Sequence, residues 1–172
     1  MRELLPDRPV ANEHAQDDQE AELRAGTLDA AFVRLPLDRD GLHLVRLYDE
    51  LPVVVVPLDH LLTVDPDVSS RDLVDEQHVL PPPGGLELRV EQLSFPSMSA
   101  REAIEVVASG TGVVVLPMSV ARLFRRKDVT YRPVVDLPAT TVGLAWRVER
   151  DDEQVQRLVG VVRGRTSRSS RG

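Results

Sequence analysis

The chain has 172 residues and no cysteine. That absence excludes a disulfide framework, thiolate metal sites, iron–sulfur clusters and a cysteine nucleophile. Aromatic residues make up only 3% of the chain, too few to build a base-stacking surface. Positive charge is also in deficit, with 21 Lys and Arg against 28 Asp and Glu and a formal net charge of −7. A general nucleic-acid binder needs the opposite balance, because it must neutralise phosphates. Long apolar runs are missing too. The longest, residues 51–58 and 113–118, are far shorter than the roughly 20 residues a membrane helix needs. The first 20 residues carry charge throughout and show no apolar stretch of the secretory kind. These features set a cytoplasmic, soluble protein as the expectation.

What is present alternates between two kinds of segment. Residues 28–33 (LDAAFV), 51–56 (LPVVVV), 113–116 (VVVL) and 142–146 (VGLAW) are short and nearly continuously apolar. Such runs read as strands buried on both faces, expected in a parallel or mixed sheet. Weaker strand candidates are residues 9–13, 42–48, 92–96 and 130–134. Ser99 followed by Glu102 is a capping box, with apolar residues at helical spacing through Ala108 and Gly110 placed to end the helix. Asp151, Asp152 and Glu153 open another helix, which Arg163 and Gly164 should close. Residues 15–25 read as a third helix, and Ser69, Ser70 and Ser119 as openings of shorter ones. The alternation predicts an α/β architecture. The PPPGG stretch at residues 81–85 reads as a surface loop. The tail at residues 166–172 reads as disordered, and no internal repeat is visible.

No catalytic constellation emerges. His14, His43, His60 and His78 lie far apart, and none has a metal-type spacing. Most of the acidic clusters Asp17/Asp18, Asp72/Asp75/Glu76 and Asp151/Asp152/Glu153 fall in expected helix first turns or on solvated faces. The glycines at 110 and 112 follow a helix and open a strand, the reverse of a nucleotide fingerprint. No cofactor or metal is implied. Two strand ends do run into polar residues: Val33 into Arg34, and residues 93–96 into Ser97, Met98 and Ser99. Ligands of open α/β sheets sit at such ends. A helix start offers amides to an anion, and arginine can clamp a carboxylate.

Residues 22–33 (ELRAGTLDAAFV) resemble the L-x-x-G-x-L-D signature of LysR-type effector domains. The rest follows in that family's order: LPVVVVP with DHLL, then VSSRDL, then SAREAIEVVASGTGVVVLP, then LAW and a closing helix. The chain is most similar to stand-alone LysR-type substrate-binding-domain proteins.

The resemblance implies a type 2 periplasmic-binding-protein-like fold of two α/β lobes joined by two crossovers, with a small effector in the cleft. Residues 1–57 and 136–165 would form lobe I, and residues 58–135 lobe II. The ligand-binding positions would be Val33, Arg34, Ser97, Met98 and Ser99. Residues 1–10 look like the end of the effector domain's first helix. The first strand of lobe I and the DNA-binding winged helix-turn-helix are therefore expected to be missing. The implied function is a non-enzymatic sensor of a small organic anion, serving transcription regulation. It would be a homodimer, or a heterodimer with a related regulator, and would touch neither nucleic acid nor membrane directly. A degenerate dimerisation module without ligand binding is the alternative.

Overall fold

The computed structural model describes residues 16–83 and 86–169. The strand expected at 9–13, the helix remnant at 1–10, His14, the paired glycines of the PPPGG loop and residues 170–172 lie outside the described residues. The chain divides into two compact units, residues 1–49 with 141–172 and residues 50–140. It passes from one to the other at 49–50 and again at 140–141.

The first unit is built on a three-stranded sheet of β1 (Ala30–Arg34), β6 (Thr140–Arg147) and β2 (Leu42–Glu50), in that order. Strand β1 runs antiparallel to β6, with Ala31 opposite Ala145 and Val33 opposite Gly143. The period-2 alternation of a strand then sorts its side chains onto two faces. Ala31, Val33 and Ala145 pack with Leu23 of α1 (Gln16–Ala25) and with Leu28 and Leu42. Ala30, Leu144 and Trp146 face the other way, against Val155 and Val159 of α4 (Glu153–Ser169). A helix on each face explains why these strands are apolar at nearly every position. Helix α1 ends at Gly26, whose φ of +81° is the left-handed conformation glycine adopts without steric cost. Gly143 is required for space: a Cβ there would lie 2.9 Å from the Val45 carbonyl oxygen.

The second unit holds a sheet ordered β4 (Val114–Pro117), β3 (Pro52–Pro57), β5 (Val129–Pro133). Strand β3, expected in lobe I with residues 1–57, is the central strand of this second sheet. Val53 and Val55 pack against Ala103, Ile104 and Val107 of α2 (Ala100–Ala108) and Ala121 of α3 (Met118–Leu123). Val54 and Val56 join Val68, Leu73, Val113 and Val134 on the opposite face. Burying a valine side chain is worth roughly 1.5–3 kcal/mol, so the four together anchor the unit.

Several expectations need correction. The expected parallel or mixed sheet is mixed in the second unit: the pairs β1–β6, β3–β4 and β3–β5 are antiparallel, whereas isolated bridges join Val68 to Val134 and His78 to Val113 in parallel. A continuous apolar run encodes burial on both faces, and two-sided burial does not require parallel neighbours. Residues 92–96 are not a strand. Their segment is pinned by two glutamines: Gln92 accepts from the His78 amide at 2.8 Å, and Gln77 accepts from the Leu93 amide at 2.8 Å. Helix α4 does not close at Arg163 and Gly164 but continues to Ser169, through most of the tail expected to be disordered. A lone glycine weakens a helix interior by about 1 kcal/mol without ending it, and no proline follows. The expected opening at Ser119 shifts as well, because α3 begins at Met118 after Pro117.

Candidate functional site

The five candidate residues fall in different units, two in the first and three in the second. Val33 is 1% exposed, its side chain locked in the α1-side core of the first unit. Only the backbone of Val33 is left to meet a ligand. Arg34 ends β1, opposite Val142, and is half-buried. The next residue, Leu35, donates its amide to the Thr141 carbonyl at 2.9 Å, so the sheet pairing persists just past the arginine. That pairing holds the Arg34 backbone in place.

In the second unit, residues 97–99 lead directly into α2. Phe95 and Met98 are half-buried and pack on the core formed by β3 and α2. They act as two anchors, and Ser97 and Ser99 between and beyond them stay exposed. The Gln77 and Gln92 clamps hold the approach to this segment from the other side. A short polar segment is thus fixed at both ends by packing and hydrogen bonds, as a binding segment must be.

Ser99 is the N-cap of α2, and the capping box is complete. The Ser99 amide donates to Glu102 Oε2 at 2.7 Å and the Ser99 hydroxyl to the same oxygen at 2.9 Å. The Glu102 amide returns a bond to Ser99 Oγ at 3.3 Å. The Ser99 amide, with its hydroxyl, holds the Glu102 carboxyl below its ordinary value of 4.5. The start of α2 is therefore not an empty anion site: one carboxylate of the chain already sits there. The hydroxyl of Ser97 has no partner among the described residues, nor have the amides of Ala100 and Arg101. These three donors are what the segment can offer an incoming acceptor.

Several other polar groups are committed to structure. Asp72 caps the turn Ser70–Leu73 through Ser69, and Ser70 donates twice to Asp136 at 2.7 Å. His60 lies 3.4 Å from Glu76, and Asp151 accepts from the Trp146 indole at 3.2 Å. His78 is buried, with Nε2 bonded to the Leu73 carbonyl. Among the described residues no group of three or more His, Cys, Asp or Glu side chains could hold a metal ion. No described helix is long and apolar enough to cross a membrane. Sequence reasoning missed Gln77, Gln92 and Glu50, which accepts from the Ser119 amide at the start of α3. Glu50 and Ser119 are 69 residues apart, and no local pattern joins them.

A family model described as the LysR substrate binding domain matches residues 10–167. The chain is 25% identical over 161 residues to the Hca operon transcriptional activator HcaR of Escherichia coli, covering 86% of this chain and 54% of that protein. It is 28% identical over 160 residues to the HTH-type transcriptional regulator CatR of Pseudomonas putida, covering 82% and 54%. The chain thus spans about half the length of these curated relatives. The BenM effector binding domain, solved with its effector benzoate, is similar at a TM-score of 0.76 and 22% identity, covering 98% of this chain and 83% of that one. The reduced form of OxyR is similar at 0.72 and 24%, covering 95% and 84%. At these identities the structures speak to the fold, which is the type 2 periplasmic-binding-protein-like fold.

Proposed function

We propose, from the premise that the chain belongs to the LysR substrate binding domain family, that it senses a small organic anion as the effector-binding part of a transcriptional regulator. The observation that carries this reading is the segment before α2. There the Ser97 hydroxyl and the first amides of α2 stand without partners on a backbone anchored by Phe95 and Met98. Amides at a helix start favour negative charge. In the first unit Arg34 supplies a guanidinium suited to a carboxylate. Benzoate, the effector of the BenM domain, is an anion of this class. Val33 contributes backbone, Met98 holds the segment, and Ser99 shapes the helix start. In this reading the domain performs no chemistry, works in the cytoplasm and pairs as a homodimer.

The test is isothermal titration of the chain with benzoate and with small aliphatic carboxylates. Arg34→Ala should weaken the best ligand by about 10- to 100-fold, the loss of a charge-assisted bond worth ~1.5–3 kcal/mol. Ser97→Ala should weaken it by a smaller factor. Unchanged affinity in both variants would remove these residues from the site. Failure of every anion to bind would favour a dimerisation module that has lost its ligand.

A further inference from the structure

The second unit carries a surface that the effector reading does not use: the turn after β3, residues 58–67. It contains one 3₁₀ turn, Leu61–Thr63. On such a turn, side chains three residues apart stack on one side. Leu61 and Val64 are spaced in this way and are 84% and 78% exposed, the most exposed large apolar residues described. Leu58, ahead of them, is exposed as well. Leu62 points the other way and packs on the core around Val54 and Val56. The unit's own core thus takes one leucine of the turn and leaves a ridge of apolar side chains outside. Single exposed apolar residues are normal on any surface, but three within seven residues mark a contact site.

The backbone of this turn is already paired. Arg132 of β5 donates to the carbonyls of Thr63 at 3.0 Å and Asp65 at 2.9 Å. His60 Nδ1 accepts the Leu62 amide at 3.1 Å, and the Thr63 and Val64 amides donate to the His60 and Leu61 carbonyls at 3.0 and 3.2 Å. Two consequences follow. The turn is held in one shape, so it loses little freedom when a partner docks. It also offers no row of open amides and carbonyls, so a partner is recognised by side chains and not by adding a strand. The charge around the ridge has one sign. Asp59 precedes the ridge, Asp65 and Asp67 follow it, and all three are exposed without an ion-pair partner among the described residues. The nearby cations are engaged elsewhere: Arg132 holds the turn's carbonyls, and Arg71 acts on Asp136.

We propose that the turn at residues 58–67 docks an amphipathic, basic helix of a different protein. A helix surface carries grooves between its rows of side chains, and the ridge of Leu61 and Val64 fits such a groove. The apolar face of the partner would cover Leu58, Leu61 and Val64, and Arg or Lys at its margins would pair with Asp59, Asp65 and Asp67. Charge complementarity selects this occupant. Three carboxylates repel an anionic lipid surface, and a net charge of −7 steers a cationic partner towards the chain. The inference does not rest on the effector reading.

Fluorescence anisotropy with the whole chain and two labelled peptides tests it. The probe is a helix of about five turns, with leucines on one face and arginines along its margins. The control has the same composition, scrambled so that no apolar face forms. The amphipathic peptide should bind at least about tenfold more tightly than the control, gain helical circular dichroism on binding, and weaken as salt is added. D65N/D67N should weaken it by about tenfold and flatten the salt dependence. L61S/V64S should abolish the preference for the amphipathic peptide over the control. Both variants alter exposed side chains and should melt with the wild type. The proposal is overturned if neither peptide binds, or if the two bind equally, which would mean attraction by charge alone. It is equally overturned if L61S/V64S keeps the preference. A sedimentation mass that rises with protein concentration in the wild type and not in L61S/V64S would give the turn to a second copy of the chain and would also overturn it.

Discussion

Replacing Ser99 with alanine separates what the capping box does for the fold from what it does at neutral pH. Three hydrogen bonds join Ser99 and Glu102, and only the one from the Ser99 amide survives the change. Losing an N-cap hydroxyl costs about 1 kcal/mol. For a chain of this size that lowers the melting temperature by about 2–4 °C. Part of the loss depends on charge. Glu102 has its folded-state pKa lowered by the Ser99 amide and hydroxyl. A lowered carboxyl pKa contributes stability that is present above the ordinary value of 4.5 and disappears as pH falls through the lowered one. The gap between wild type and Ser99→Ala should therefore be widest at neutral pH and narrow in acid. Thermal unfolding followed by far-UV circular dichroism at pH ~7 and ~3 reads it directly. Equal melting of the two proteins at neutral pH, or a gap of the same size at both pH values, would refute the reasoning.

Two further substitutions address the same region. Glu102→Gln removes the carboxylate that occupies the start of α2, so it should lower stability slightly but raise the affinity for an anionic ligand, measured by titration calorimetry. Gly112→Ala should destabilise the second unit by about 1–3 kcal/mol in chemical denaturation, as overpacking does. A Cβ there would lie 2.6 Å from the Gln77 carbonyl oxygen, which itself accepts the Val113 amide at 2.7 Å.

Much of the local structure was legible in the sequence. The Ser99 and Glu102 pair marks the start of α2, and Gly110 follows its end at a φ of +86°. The apolar runs locate β1, β3, β4 and β6 to within two residues. The direction of their pairing was not legible, because alternation within one strand says nothing about its neighbour. Nor was the shared sheet of β3 with β4 and β5, which unites segments more than 50 residues apart. At the candidate site, Ser99 was legible as a cap, but the occupation of α2's start by Glu102 changes what that cap can do for a ligand. Val33 was chosen for its place at a strand end. The strand's period puts its side chain on the same face as Ala31, inside the core. The glutamine clamps on residues 91–93 depend on side chains reaching across 14 to 16 residues of irregular chain, a contact no period encodes.

The most direct test of the central claim is a thermal-shift screen of the unaltered chain against aromatic and aliphatic carboxylates. A ligand at about 100 times its Kd stabilises by ~2.7 kcal/mol, which corresponds to a rise of about 5–11 °C for a chain of this size. A rise of that order for one chemical class of anion, reduced in Arg34→Ala, is the predicted result. A cooperative melt that no carboxylate moves would contradict the assignment of an anion sensor.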